Sequence, residues 1–149
     1  MKKLFAVILT LFILIFCGAA ADAAPQISAH SAILIDAETG RVMFSKSSDE
    51  RLAMASTTKI ITAVTALESD GFDIDRTIEI SENAAGVEGS SMYLQKGEKI
   101  SMRNLLYGLM LSSGNDAAVA IAEAVSGDET AFVDLMNKKV GEIGAADTH

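Results

Sequence analysis

The feature that most constrains this chain is an apolar run that follows directly after a serine and a lysine. Ser56-Thr57-Thr58-Lys59 opens the run over residues 60–67. The apolar spacing predicts a helix over residues 57–69. Residues three apart on a helix lie on one face, with Cβ atoms about 5–6 Å apart. We therefore expect the amine of Lys59 to lie within reach of the hydroxyl of Ser56.

This pairing suits nucleophilic catalysis. Serine is a weak nucleophile until a neighbouring base takes its proton, and an uncharged lysine can be that base. The unpaired N–H groups at a helix start favour negative charge on the serine oxygen. Ser56 is thus a candidate nucleophile and Lys59 a candidate base. The alternative interpretation of Lys59 is an ordinary surface charge, as most lysines are.

A second candidate group is Ser113-Gly114-Asn115, which joins two apolar helical patterns. A hydroxyl and an amide at such a junction can relay a proton and hold a substrate amide. The alternative is an ordinary helix break, because serine, glycine and asparagine are all common there. Ser81-Glu82-Asn83 has the same spacing. We favour Ser113 and Asn115, because a junction of two apolar helices can lie deep in a cleft.

Composition narrows the class of protein. The chain has 149 residues, half of them apolar, which suits one domain with a substantial core. Its net charge of −8 argues against a nucleic-acid partner. Two histidines and one cysteine do not provide the ligand spacing of a zinc site. We expect neither a metal nor another cofactor, because a serine–lysine mechanism requires none.

The amino terminus predicts a signal peptide over residues 1–23, which leaves residues 24–149 for the domain. Two lysines precede the apolar residues 4–16, and Ala21-Asp22-Ala23 fits a cleavage site. One alternative is a membrane anchor, but the apolar run is shorter than the roughly 18–20 residues that a spanning helix needs. The other is a lipoprotein modified at Cys17, but Phe16 is the wrong residue before a lipidated cysteine. We expect export to the cell envelope, in the periplasm or on the outer face of the cytoplasmic membrane.

The other elements predict an α+β fold. Residues 31–36 and 41–45 are expected to form a strand hairpin around a turn at 37–40. A strand at 77–80, a helical turn at 81–85 and a loop at 86–97 follow. Three further helices are expected: one capped by Ser101, one running from Ala117 to Val125, and one running from Asp128 to residue 143. The expected apolar stripes of the three amphipathic helices are Ile60, Ile61, Val64 and Leu67; Leu105, Leu106, Leu109 and Met110; and Phe132, Leu135, Met136 and Val140.

Four ordered motifs resemble one family, the low-molecular-mass penicillin-binding proteins, which are serine D-alanyl-D-alanine carboxypeptidases. The resemblance covers residues 28–149. Its motifs are Ile33-Leu34-Ile35-Asp36 with Gly40, Ala55-Ser56-Thr57-Thr58-Lys59-Ile60-Ile61-Thr62, Gly89-Ser90-Ser91-Met92-Tyr93-Leu94 with Gly97, and Ser113-Gly114-Asn115-Asp116-Ala117-Ala118.

The resemblance implies a β-lactamase/transpeptidase-like domain, an antiparallel sheet with a helical subdomain. It implies that Ser56 attacks the bond between the two terminal D-alanines of a peptidoglycan stem peptide while Lys59 takes its proton. Ser113 would relay a proton to the leaving amine, and Asn115 would hold the substrate amide. β-Lactams would acylate the same serine, and a membrane would be bound only through a tail that this chain does not contain.

One family motif is missing. Related serine enzymes carry a K-T-G triad that binds the substrate carboxylate and supplies the second oxyanion donor, and this sequence contains none. We therefore expect the amino-terminal part of the domain, truncated before the late strands and inactive as given. The alternatives are a class A β-lactamase, which prefers aspartate where this chain has Gly114, and a non-catalytic module that binds peptidoglycan.

Overall fold

The computed structural model describes residues 25–145 and 147–149. The predicted signal peptide lies outside the described residues. The described chain divides into two compact units, one ending at Glu50 and one beginning at Arg51. None of the helices in these ranges combines the length and apolar character that a membrane crossing requires.

The first unit is the predicted hairpin. Strands β1 (Ala32–Ile35) and β2 (Val42–Lys46) pair antiparallel, with Ala32 opposite Lys46. The carboxylate of Asp36 accepts hydrogen bonds from the N–H and hydroxyl of Thr39, which together hold the pKa of Asp36 below its usual value. Gly40 closes the turn with a φ of +70°. The hairpin prediction is confirmed, with bounds one residue from those expected.

The second unit contains five helices, a short 3₁₀ turn and a small sheet. The 3₁₀ turn covers Ala55–Thr57, and the helices are α1 (Thr58–Leu67), α2 (Glu82–Ala85), α3 (Met102–Leu111), α4 (Asn115–Ser126) and α5 (Glu129–Glu142). Strands β3 (Thr77–Glu79) and β4 (Lys99–Ser101) pair antiparallel. Strand β4 was not predicted, because Ile100 is its one apolar residue, whereas Ile78 and Ile80 alternate with polar residues in and beside β3.

Helix α4 forms the centre of this unit. It packs against α1, α2, α3 and α5. Its buried residues are mostly small, so neighbouring helices can approach closely: Ala117, Val119, Ala120, Ile121 and Ala122. Larger side chains from α3 and α5 fill the space around it, chiefly Leu105, Leu109 and Phe132. The core therefore surrounds the helix that begins at Asn115.

The predicted apolar stripe of α1 is wrong. None of its four residues is fully buried: Ile60 and Leu67 are about half exposed, at 54% and 49%, and Ile61 and Val64 are partly buried. The buried residues of this helix are instead its small ones, Thr62, Ala63, Thr65 and Ala66. Helix α1 packs against the alanine-rich α4, and small side chains on both helices permit that close contact. The hydroxyl of Thr65 is buried there without a hydrogen-bond partner.

The stripes of α3 and α5 are confirmed in part. Leu105, Leu109 and Phe132 are buried as expected, whereas Met110 is half exposed and Leu135 is exposed. Only the part of each stripe that faces α4 or its neighbours is covered.

The predicted helix caps are present. The side chain of Ser101 accepts a hydrogen bond from Asn104 N at 3.3 Å, and that of Asp128 accepts one from Ala131 N at 2.8 Å. Ser81 caps the short helix α2 in the same way, accepting from Ala84 N at 2.9 Å. Each cap satisfies an amide that the helix cannot pair internally.

Candidate active site

Ser56 lies in the 3₁₀ turn that leads into α1. The preceding residue, Ala55, has a φ of +48°, and the α-helix itself begins at Thr58. The prediction of one helix from residue 57 is therefore correct to within one residue, with Ser56 just before it in a tighter turn. Ser56 is exposed, whereas Lys59 in the first turn of α1 is half buried. The nucleophile candidate is thus accessible at the start of a packed helix.

Ser113 reaches Ser56 from the junction of α3 and α4. Its hydroxyl donates a hydrogen bond to Ser56 Oγ at 2.6 Å, across 57 positions of sequence. Ser113 has a φ of +54°, a conformation that non-glycine residues adopt rarely. This left-handed residue turns the chain between the two helices. The structure therefore brings together the two serines that the sequence selected.

Lys59 contacts the other end of the same tripeptide. Its Nζ donates a hydrogen bond to Asn115 Oδ1 at 2.5 Å. The Nδ2 of Asn115 donates in turn to the carbonyl of Glu88 at 2.9 Å, and its backbone N–H donates to the carbonyl of Ser90 at 2.7 Å. The amine is therefore directed towards Asn115, and both ends of the Asn115 amide have partners. Among the described residues no hydrogen bond joins Lys59 Nζ to Ser56 Oγ, so the expected serine–lysine contact is not seen as a direct bond; the two side chains instead bind the two ends of one tripeptide.

All four predicted site residues belong to one cluster. Ser56 pairs with Ser113 and Lys59 pairs with Asn115, so that the serine–lysine turn lies alongside the serine–asparagine turn. The competing tripeptide has a different role: Ser81 caps α2, and Asn83 donates to Glu123 Oε1 at 3.0 Å. The cluster offers a hydroxyl nucleophile, an amine, a second hydroxyl and an amide, which together can support acyl transfer.

Asp116 is the residue that sequence reasoning missed. It is 1% exposed. Its carboxylate accepts hydrogen bonds from Ser91 Oγ at 2.6 Å, Leu94 N at 3.1 Å and Ala117 N at 2.9 Å. Met92 N adds a further bond, at 3.0 Å to each carboxylate oxygen. The signal in the sequence was an acidic residue in the first turn of a largely apolar helix.

The protonation of Asp116 follows from two opposing effects. Burial raises the pKa of the Asp116 carboxyl, but the hydrogen bonds from Ser91, Met92, Leu94 and Ala117 outweigh it, and the pKa lies below its usual value. Its position in the first turn of α4 also favours the ionised form, because the amino end of a helix carries partial positive charge. Asp116 is therefore a buried, charged hydrogen-bond acceptor.

Backbone strain concentrates around these residues. In the described part of the chain, four non-glycine residues have positive φ. Two of them lie at the cluster: Ser113 belongs to it and Ala55 precedes Ser56. A third, Tyr93, lies in the loop next to the cluster. Such conformations cost on the order of 1–3 kcal/mol each and are common at functional sites. Tyr93 belongs to the loop that Asp116 holds, and its N–H donates to Ser91 Oγ at 2.7 Å.

Two cavities border α1, and neither encloses the four-residue cluster. One of about 180 Å³ adjoins Lys59 and is lined mainly by apolar side chains of α4 and α5, including Val119, Phe132 and Met136. A larger one of about 410 Å³ lies at the other end of α1, near Glu68, and contains none of the four site residues. Among residues 25–145 and 147–149, no three His, Cys, Asp or Glu side chains are grouped so as to hold a metal ion.

Comparison with known proteins agrees with the motifs. The family model described as D-alanyl-D-alanine carboxypeptidase matches residues 18–149. The D-alanyl-D-alanine carboxypeptidase DacF of Bacillus subtilis is 44% identical over 123 residues, which are 80% of this chain and 32% of that protein. The chain thus spans about a third of the length of such relatives.

Solved structures agree as well. The D-alanyl-D-alanine carboxypeptidase DacD of Francisella tularensis superposes with a TM-score of 0.79 at 42% identity, over 85% of this chain and 32% of that one. Penicillin binding protein 5 of Haemophilus influenzae superposes with a TM-score of 0.74 at 35% identity, over 80% of this chain and 37% of that one. The predicted fold class is confirmed over this partial length. By its sequence and its fold, the chain belongs to the D-alanyl-D-alanine carboxypeptidase family.

Proposed function

We propose that this chain carries the acylation centre of a serine-type carboxypeptidase that removes the terminal D-alanine from peptidoglycan stem pentapeptides. The observation that carries the proposal is the pairing of Ser56 with Ser113 and of Lys59 with Asn115 at one place. The names of the matched proteins support the substrate class, and the name of the Haemophilus protein supports recognition of penicillins. The predicted signal peptide fits a substrate in the cell envelope.

In the proposed acylation step, Ser56 Oγ attacks the carbonyl carbon of the penultimate D-alanine. Ser113 already donates to Ser56 Oγ, so the hydrogen of Ser56 is free to point to a base. Lys59, in its uncharged form, accepts this proton as the new C–O bond forms. The backbone N–H of Ser56 would donate to the developing oxyanion.

Collapse of the tetrahedral intermediate breaks the peptide C–N bond. The proton held by Lys59 passes through the Ser113 hydroxyl to the nitrogen of the leaving D-alanine, and an ester remains on Ser56. Water then attacks this ester, which releases the shortened peptide and restores the hydroxyl. Asn115 Nδ2 would exchange its bond to Glu88 for one to a substrate amide carbonyl. No metal or other cofactor takes part in these steps.

The missing K-T-G triad sets the expected rate of this chain. Loss of one oxyanion donor typically lowers the rate by about 10²–10³, and the carboxylate contact of that triad is absent too. We therefore expect the 149-residue chain to be inactive as a carboxypeptidase and to release no measurable D-alanine. Acylation of Ser56 by a fluorescent penicillin, which needs no turnover, should be slow and should fall short of one label per molecule.

The test is intact-protein mass spectrometry after prolonged incubation with that penicillin. A slow adduct on Ser56 that disappears in Ser56→Ala, and falls sharply in Lys59→Ala, would support the proposal. No Ser56-dependent adduct would overturn it for this chain. Rapid stoichiometric labelling would support the function but contradict the expected rate. Three assays distinguish the candidate functions. A carboxypeptidase releases D-alanine from a pentapeptide, a β-lactamase hydrolyses a cephalosporin, and a binding module binds cell-wall sacculi without either reaction.

A further inference from the structure

We propose that Asp116 is a positioning residue: it fixes the loop of residues 88–94, and that loop fixes the amide of Asn115 opposite Lys59. The inference rests on the function proposed above for Asn115 and Lys59. Asp116 itself is buried and its oxygens are occupied by donors, so it is not available to exchange protons with a substrate.

The first step is the hold of Asp116 on the loop. Oδ2 accepts from the Ser91 hydroxyl and from Leu94 N, and Met92 N lies at 3.0 Å from both oxygens. Oδ1 also accepts from Ala117 N, which belongs to α4 itself. One carboxylate thus ties three successive parts of the loop to the first turn of a buried helix.

The second step is the hold of the loop on Asn115. The loop carbonyls of Glu88 and Ser90 accept from the side-chain and backbone N–H groups of Asn115, at 2.9 and 2.7 Å. Adjacent residues of α4 therefore bind the same loop in opposite senses: Asn115 donates to its carbonyls and Asp116 accepts from its amides. Because both contacts are short and local, movement of the loop would move Asn115.

The third step is the orientation of the Asn115 amide. With Nδ2 fixed on the carbonyl of Glu88, Oδ1 faces Lys59 Nζ at 2.5 Å. Gly89 lies against the same amide group: a Cβ at this position would stand 2.7 Å from Asn115 Nδ2, and its φ is +98°. The loop is therefore shaped to receive this side chain, and the alternative amide orientation would place an NH₂ group against the lysine amine.

The test uses protein labelled with ¹⁵N in its asparagines, of which the chain has four. The NH₂ signal of Asn115 is assigned by its loss in Asn115→Asp. The signal of Asn83, which is bonded to Glu123, is the internal reference. In Asp116→Ala we expect the Asn115 signal to shift and its hydrogens to exchange at least about tenfold faster, while Asn83 is unchanged.

The matched control is Asp128→Ala, which removes another carboxylate that accepts a helix-start amide but lies outside the cluster. It should leave the Asn115 signal unchanged. An unchanged Asn115 signal in folded Asp116→Ala would overturn the proposal. If that variant does not fold, Ser91→Ala removes one donor and keeps the charge. A shift of the Asn115 NH₂ signal in Ser91→Ala would support the proposal, and an unshifted signal would overturn it.

The experiments distinguish failure of the positioning role from failure of the proposed function. A wild-type chain that forms no Ser56 adduct, yet shows the Asp116-dependent Asn115 signal, would overturn the carboxypeptidase proposal for this chain and support the positioning role. A chain that reacts at Ser56 at the same rate with and without the Asp116 carboxylate would support the function and overturn the role of Asp116.

Discussion

Replacement of Asp116 by asparagine tests how much the buried carboxylate stabilises the domain. Both carboxylate oxygens accept hydrogen bonds from backbone N–H groups: Oδ1 from Ala117 and Oδ2 from Leu94. The N–H of Met92 is shared by the two oxygens. Asparagine has one oxygen, so its NH₂ group must face an amide that also donates. At least one buried N–H loses its partner, at about 1–3 kcal/mol, and the remaining bonds lose their charge. We expect a total loss of about 2–4 kcal/mol of unfolding free energy.

The comparison is Asp128→Asn, measured in parallel by urea unfolding with linear extrapolation. Asp128 caps α5 at an exposed position, and asparagine caps a helix about as well as aspartate. Asp128→Asn should lower the unfolding free energy by less than about 1 kcal/mol, because only the interaction of the charge with the helix dipole is weakened. Equal losses in the two variants would refute the assignment of a special stabilising role to the Asp116 network. A domain of this size has about 5–15 kcal/mol in total, so the expected difference is easily resolved.

Three further outcomes can be measured on the same protein. Thr65→Val removes a buried hydroxyl that has no partner and should raise the unfolding free energy by about 1 kcal/mol in urea titrations; a decrease would show that the hydroxyl is satisfied. The pKa of Asp116 is lowered in the folded state, so the unfolded chain takes up this proton first as the pH falls. The stability due to Asp116 is present above its ordinary pKa of 3.8 and is lost as the pH falls through the lower folded value, so urea titrations from pH 7 to 2 should show a decline that Asp116→Ala reduces. Gly89→Ala places a Cβ 2.7 Å from Asn115 Nδ2, whereas Gly97→Ala, also at positive φ, meets nothing within 4 Å. Both should lose stability through backbone strain, of order 1–3 kcal/mol, but only Gly89→Ala should shift the Asn115 NH₂ signal.

The sequence predicted those features that depend on a few neighbouring residues. The hairpin turn at Asp36 and Gly40, and the caps at Ser101 and Asp128, use local hydrogen bonds that residue type largely determines. The pairing of the Ser56 turn with the Ser113 turn is not local. It was predicted because the motifs resemble a family, and spacing along the chain would not have been enough.

The features that were missed depend on tertiary contacts between elements. The buried side of α1 is set by the small residues of α4, so the large residues Ile60 and Leu67, which dominate the apolar pattern, lie on the exposed side. Strand β4 exists through pairing with β3, and its single apolar residue, Ile100, gives no alternating pattern. Asp116 looks unfavourable in an apolar helix until the loop donors that surround it are known.

The position of the site at two helix starts explains why strain and rigidity occur together here. Ser56 directly follows Ala55, which has a positive φ, and Ser113 has a positive φ itself. A strained backbone persists only where its surroundings over-determine it, and the buried helix α4 with its bound loop provides that support. Substitutions of the buried apolar residues of α4, such as Ile121, should therefore affect the site mainly through global stability, because they leave its hydrogen bonds intact. Substitutions in the loop of residues 88–94 should instead move Asn115 directly. A comparison of the two groups of variants therefore separates changes in site geometry from changes in unfolding free energy.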